Sequence, residues 1–330
     1  MANDSMHCLS RQSHVSIVLP PIMIMEFLLG LPANAMALWI FCFRITLWKP
    51  STVYLLNLVL ADFLLILSLP FRIDGWMRNE NWVFGDVMCR MNLFMLATNR
   101  SASIAFMTTV ALDRYFKVVH PHHPVNHLSA RRAVVVAVSI WALVFSLRTP
   151  LLANKLLNQH NNSSLCRSFS SYSKPTLGIR LHYALYIGEF FLPFFLLLFC
   201  TLRTTCILRS RQLDKEKKVR RAIKVIRVIV GVFTVCFLPG ILTGIITLLI
   251  QKFRPKDCIS YSISAELFSI AVGFTYLNSA LDPVIYCFSS PMFNKALKTA
   301  VNSLGLCHLD VSRRGSVATS DEWHKDSGRV

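Results

Sequence analysis

Seven predominantly apolar stretches, at about 17–43, 52–76, 88–113, 133–153, 182–208, 222–250 and 262–288, set the terms on which this chain can fold. Each is long enough to cross a hydrocarbon core of ~30 Å at ~1.5 Å of helix rise per residue. Lipid offers no partner to a backbone amide or carbonyl, so each stretch must satisfy its own backbone as a helix. Buried helices of a soluble protein would need polar faces, and most of these runs have none. Charged residues make up 16% of the chain, where soluble domains carry roughly 25%. The expectation is an all-α membrane protein, a seven-transmembrane helix bundle.

Basic residues set its orientation. The segments after the first, third, fifth and seventh stretches, with the ends of the stretches that flank them, hold 22 of the 35 lysines and arginines, most densely in RSRQLDKEKKVRRAIKVIR at 209–227. By the positive-inside rule these segments are cytoplasmic, which puts the N-terminus outside and the C-terminus inside a multi-pass protein. The net charge of +18 is then a topology signal and a contact with anionic membrane lipid, not a nucleic-acid footprint. The first residues are polar and the first span is full length, so no cleavable leader is expected. The division that follows is an outer N-terminus (1–16), a seven-span domain (17–290), a membrane-surface helix (291–306) and a disordered tail (307–330).

Of ten cysteines, Cys8, Cys89, Cys166 and Cys258 fall on the expected outer side, where disulfides persist. Four cysteines admit three pairings. Joining Cys89 to Cys166 would draw the loop after span 4 across the mouth of the bundle, leaving Cys8 and Cys258 to tie the N-terminus to the last outer loop. The sequons at Asn3, Asn161 and Asn162 lie on the same side; one at Asn99 lies within a span and is read as chance.

Each span but the third carries a polar or helix-breaking residue that insertion does not require: Asn34, Asp62, Trp141, Pro193, the CFLP of 236–239 and the NSALDPVIY of 278–286. Ionisable residues at such depth should face the interior and pair. Asp62, Ser103, Asn278 and Asp282 supply oxygens for a small buried cation, sodium being the candidate, or for a water cluster. The stretch LFMLATNRSASIAFMTTVALDRY at 93–115 holds two arginines. From Arg100 to Arg114 is 14 residues, ~21 Å along a helix, and at ~100° per residue both point to nearly the same interior side. Arg114 falls at the inner mouth, so Arg100 lies in the outer half, where a cation needs an anion. Glu26, Glu189 and Glu266 could supply one internally. A ligand carboxylate, which a planar guanidinium holds in a bidentate way, is the functional alternative.

Asn34 with Asp62, Asp113-Arg114-Tyr115, Trp141, Pro239 and the run from Asn278 through Asp282, Pro283 and Tyr286 resemble the rhodopsin-type G-protein-coupled receptors over residues ~15–305. The resemblance implies that Asp113 holds Arg114 at rest, and that Arg114 meets a G protein when span 6 swings about its Pro239 kink. Phe237, Asp282 and Thr201 depart from the residues common at their places. Span 7 has no lysine, which excludes a retinal Schiff base. Leu96 stands where amine receptors place an aspartate, which argues for an anion with an apolar body.

WKPSTVYLLNL (48–58), LPFR (69–72), ATNRSAS (97–103), DRYFKVVHPHH (113–123), EFFLP (189–193) and YCFSSPMF (286–293) are similar to the hydroxycarboxylic acid and oxoeicosanoid receptors. That similarity implies that Arg100 anchors the ligand carboxylate, that Ser168 and Phe169 cover the ligand and that Tyr276 hydrogen-bonds it. Arg72 is either a second anion contact or an interfacial residue reaching for headgroups. The short-acid receptors carry a second arginine in span 6, where this chain has Gly244. One carboxylate on a long apolar chain, an oxo- or hydroxy-eicosanoid, is therefore expected, with a short hydroxy acid such as lactate or 3-hydroxybutyrate as the alternative. The same branch implies a G protein of the inhibitory class, lowering cyclic AMP at the plasma membrane.

After span 7, Phe293, Leu297 and Val301 fall at helical spacing on a membrane-surface helix. Cys307 is a candidate for palmitoylation, or a plain thiol, and Ser316, Thr319 and Ser320 are candidate phosphorylation sites for arrestin recruitment. An organic-anion transporter would need inverted repeats and paired broken helices, which seven spans with an intact Asp-Arg-Tyr fit poorly. No nucleophile–base pair or metal-ligand cluster stands out, so enzyme chemistry is not expected.

Overall fold

The computed structural model describes residues 12–160, 163–168, 176–210, 217–254 and 256–303. Seven long helices run through it: α1 (Ser13–Phe43), α2 (Pro50–Met77), α3 (Gly85–Val119), α4 (Ala130–Arg148), α6 (Leu177–Ser210), α7 (Lys217–Phe253) and α8 (Cys258–Ser289). Between α4 and α6 come a one-turn helix, α5 (Pro150–Ala153), and a hairpin of β1 (Leu157–His160) and β2 (Ser163–Cys166); α9 (Pro291–Ser303) follows α8. Most of the long helices overrun the apolar stretches that forecast them, because good helix formers continue past the hydrocarbon. Local chemistry marks several ends. Pro50 opens α2 where no amide partner is lost, Ser129 Oγ accepts from the Arg132 amide at 3.4 Å, and Asp257 Oδ1 accepts from the Ser260 amide at 3.1 Å.

Six of the seven long helices are, by length and composition, apolar enough to cross a membrane. The exception is α3, which carries Asp86, Arg90, Arg100, Asp113, Arg114 and Lys117. Its position explains the difference: α3 packs against α2, α4, α6 and α7, so much of its circumference meets protein. The outward faces of α6 show the complementary pattern, with Leu192, Phe195 and Leu202 exposed as lipid-facing side chains would be.

Polar clamps sew the helices together at mid-depth. Asn34 Nδ2 donates to the Ser279 carbonyl at 2.9 Å and joins α1 to α8. Trp141 Nε1 donates to Asn57 Oδ1 at 2.8 Å and joins α4 to α2. Asn99 Nδ2 donates to the Ala61 carbonyl at 3.0 Å and joins α3 to α2. Around them lie two apolar clusters. One is rich in phenylalanine, with Phe106, Phe190, Phe233 and Phe237; the other fills the end near Cys89 with Leu19, Leu65, Trp76 and Leu93.

At that end Cys89 and Cys166 are joined, with their Cα atoms 5.8 Å apart, as one of the three pairings required. The hairpin is thereby drawn over the bundle and docks further through Trp82 N to the Ser164 carbonyl at 2.8 Å. Cys258 is also disulfide-bonded, while Cys8, its expected partner, lies outside the described residues. So do Asn3, Asn161, Asn162, Phe169, Cys307, Ser316, Thr319 and Ser320.

Candidate functional site

A cavity opens at the disulfide end among α2, α3, α6, α7 and α8. Its walls include Leu93, Leu96, Ile187, Phe268 and Tyr276, and Arg100 lines it from α3. Leu96, Ser168, Arg72 and Tyr276, singled out in the sequence, line the same space. Arg72 turns inward: Nη1 donates to the Cys166 carbonyl at 2.9 Å and the guanidinium lies over the Trp76 ring.

Arg100 is 7% exposed and its guanidinium lies over Tyr186, 3.8 Å from the ring centroid. Nη2 donates to the Tyr186 carbonyl at 3.1 Å, while Nε and Nη1 make no hydrogen bond among the described residues. The three internal acids divide as follows. Glu266 pairs with His14 at 3.0 Å, and Glu26 is buried with neither oxygen hydrogen-bonded among the described residues. Glu189 approaches Arg100 Nη1 only to 3.7 Å. Its close partner is Arg148, at the end of α4. Arg148 is 1% exposed; its Nη2 binds Glu189 directly, Nε donates to Ser101 Oγ at 2.8 Å and Nη1 donates to His182 Nδ1 at 3.1 Å. A signal for it existed in Arg148 standing just before Thr-Pro, but without the neighbouring helices nothing distinguished it from an interfacial arginine.

Gly244 faces the cavity, and a Cβ there would lie 3.0 Å from Phe268 Cε2 and 3.6 Å from Tyr186 Cε1. The place expected to be vacant of a second cation is thus closed by two rings, packed edge to face at 5.7 Å. At the mouth, Glu80 accepts from the Gln12 amide at 3.0 Å and pairs with Arg167, so the start of α1, the turn before α3 and the segment after β2 meet over the cavity.

At mid-depth the polar residues converge. Tyr286 donates to Asp62 Oδ2 at 2.8 Å and Asn278 Nδ2 donates to Asp282 Oδ2 at 3.1 Å. Ser103 is fully buried beside Asn99, 3.5 Å from its Nδ2. The remaining oxygens Asp62 Oδ1, Asp282 Oδ1 and Asn278 Oδ1 have no hydrogen-bond partner among the described residues, a donor set of the kind a small hard cation takes.

At the Asp-Arg-Tyr end Arg114 pairs with Asp113, Nε lying 3.9 Å from the carboxylate, and its Nη2 donates to the Ser289 carbonyl at 2.9 Å. Asp113 also takes Lys117 Nζ at 2.7 Å on both oxygens. Lys117 sits one turn on at i+4, so this competitor was readable from spacing alone. Tyr115 packs with Phe116, His120 and Phe199.

The bundle thus has an apolar cavity with a buried arginine at its floor, and a second arginine, Arg114, at its opposite end. Residues 33–286 match the 7 transmembrane receptor (rhodopsin family). The chain belongs to that family, in the branch that includes hydroxycarboxylic acid and oxoeicosanoid receptors. It is 44% identical over 296 residues to hydroxycarboxylic acid receptor 2 of Homo sapiens, covering 89% of this chain and 80% of the relative. It is 43% identical over 311 residues to oxoeicosanoid receptor 1 of Homo sapiens, covering 94% and 79%. Similarity extends to the 12-(S)-hydroxy-5,8,10,14-eicosatetraenoic acid receptor of Mus musculus, 37% over 300 residues, covering 90% and 93%. The protein is a membrane receptor and not an enzyme, and its partners are a G protein and a small-molecule ligand.

Proposed function

We propose that the receptor binds a carboxylate, and that its natural ligand is an oxidised polyunsaturated fatty acid of the oxo- or hydroxy-eicosanoid class. The observation that carries this is Arg100, buried under Tyr186 with two donor nitrogens uncommitted among the described residues. A carboxylate taken up there gains charge-assisted bonds in a low-dielectric setting. Leu93, Leu96, Phe268 and Tyr276 offer apolar surface to a long chain, and the rings at Gly244 take the space a second anchor would need. Ser168 and Phe169 cover the ligand and Tyr276 bonds it. The relatives named for oxoeicosanoids and for a hydroxy-eicosatetraenoic acid support this ligand class.

A short hydroxy acid is the second reading, favoured by Arg72, a further guanidinium on the cavity wall, and by the hydroxycarboxylic acid relatives. In either case the receptor sits in the plasma membrane with its N-terminus outside. It lowers cyclic AMP through the inhibitory class of G protein, with Arg114 as the switch, and recruits arrestin through Ser316, Thr319 and Ser320. Asp62, Asp282, Asn278 and Ser103 hold a sodium ion in the resting state. Cys8 pairs with Cys258, Asn3, Asn161 and Asn162 carry glycans, and Cys307 carries a palmitoyl group.

The test is cyclic AMP in transfected cells, with and without pertussis toxin. The 5-oxo and hydroxy eicosatetraenoic acids are compared with lactate, 3-hydroxybutyrate and nicotinate, on the wild type and on Arg100→Ala. A toxin-sensitive response to the lipids that Arg100→Ala abolishes is the expected result. A response to the short acids alone transfers the assignment to the second reading, and an Arg100→Ala receptor of normal potency removes the anchor.

A further inference from the structure

The ion cluster behind Arg100 holds two guanidiniums and one carboxylate. Arg148 and Arg100 approach Glu189 from α4 and α3, and the contacts are unequal: Arg148 bonds it directly, whereas Arg100 Nη1 stops at 3.7 Å. Ser101 Oγ, 2.9 and 3.1 Å from the two carboxylate oxygens, holds the acid from the side, and Arg148 Nε donates to that same hydroxyl. His182 accepts from Arg148 Nη1 through Nδ1, which fixes its ring as the neutral tautomer with the proton on Nε2 and adds no charge. The cluster therefore keeps one excess positive charge; Arg100 and Arg148 both line the cavity, but Arg148 is bonded to Glu189, so the charge left for an incoming anion is that of Arg100.

We infer that Arg148 is a positioning residue: by holding Glu189 it keeps that carboxylate from closing on Arg100, so that Arg100 meets an incoming carboxylate with Glu189 no nearer than 3.7 Å. The chain carries its own competitor for the ligand site, and Arg148 restrains it. A buried charge left without its partner seeks another. Without Arg148, Glu189 has a short way to travel to Nη1, and the ligand would have to displace it. With Arg148 in place the ligand carboxylate completes a balanced set of two cations and two anions. Arg148 acts through Glu189 and need not touch the ligand. The inference rests on the carboxylate reading of the site and adds to it.

The experiment measures potency in the cyclic AMP assay with 5-oxo-eicosatetraenoic acid and with lactate, alongside surface expression by flow cytometry of an epitope-tagged receptor. The variants are R148M, R148K, E189Q and the double variant R148M/E189Q. For the acid that activates the wild type, R148M should lose at least about tenfold in potency, and R148M/E189Q should recover to within about threefold, because the competitor is gone. R148K, which keeps the cation, should fall between R148M and the wild type. A purely structural role for Arg148 would leave the double variant no better than R148M, and that result overturns the inference. If R148M fails to reach the surface, E189Q decides alone: potency equal to or better than wild type supports the inference, and a loss of more than about tenfold overturns it. A wild type that answers neither acid sinks the carboxylate reading and this inference with it. A responding wild type with R148M at wild-type potency sinks the inference alone.

Discussion

At the scale of single residues, Arg100 depends on Tyr186, and Tyr186 depends on a glycine. A Cβ on Gly240 would sit 2.6 Å from the Tyr186 hydroxyl, so the ring reaches Arg100 only because α7 has no side chain at that point. Gly240→Ala should push the ring aside at an overpacking cost of about 1–3 kcal/mol and weaken ligand potency without touching the ligand. Combining it with Tyr186→Phe removes the clashing oxygen and should restore potency; dose–response curves of the three variants check both statements. Arg100's place in the outer half of the bundle was legible in the sequence because helix pitch is local, and 14 residues fix its depth and azimuth relative to Arg114. Arg148's contacts were not, since they arise where α3, α4 and α6 converge and no short-range spacing encodes that meeting. Asp113 lies between these cases. Its i+4 partner Lys117 was visible in the sequence, but the family pattern directed attention to Arg114.

At the scale of elements, side chains with polar handles hold the helices in register. Trp141 to Asn57 joins α4 to α2, and Trp141→Phe keeps an aromatic ring while leaving a half-buried amide oxygen without its donor. A loss of about 1–3 kcal/mol is expected, read as a lower melting temperature of the detergent-purified receptor with ligand selectivity unchanged. Helix α9 is fastened differently. Phe293 is buried and packs on Phe41 of α1 and Tyr286 of α8, at 5.1 and 5.8 Å. Phe293→Ala should cost about 3–5 kcal/mol, detach α9 and lower surface expression, which flow cytometry reports. Of the face read from the sequence at Phe293, Leu297 and Val301, the first is fully buried and the other two are half-buried. Periodicity located the helix, but which residue bears its attachment depends on the distant Phe41.

At the scale of the whole molecule, the cavity is closed from above by chain segments far apart in sequence. The Cys89–Cys166 bond spans 77 residues and holds β2 over the bundle, where Arg72 takes the Cys166 carbonyl and Arg167 takes Glu80. Cys166→Ser should cost about 2–5 kcal/mol and abolish ligand response before it abolishes folding, measurable as lost binding on receptor that still reaches the surface. Apolar length made the seven-helix count legible; the identity of the innermost helix came only with packing. That helix, α3, also bears on how the protein is made. It carries Arg100 and Arg114, and among the described residues it is the one long helix that is not, by length and composition, apolar enough to cross a membrane. An isolated α3 should therefore partition poorly out of the translocon, and its insertion should await company from α2 on one side and α4 on the other. In a glycosylation-mapping series of truncated chains, the third crossing should become efficient only once α4 has been synthesised. The features that let this receptor detect an anion and address a G protein would then be the ones that make its biogenesis cooperative.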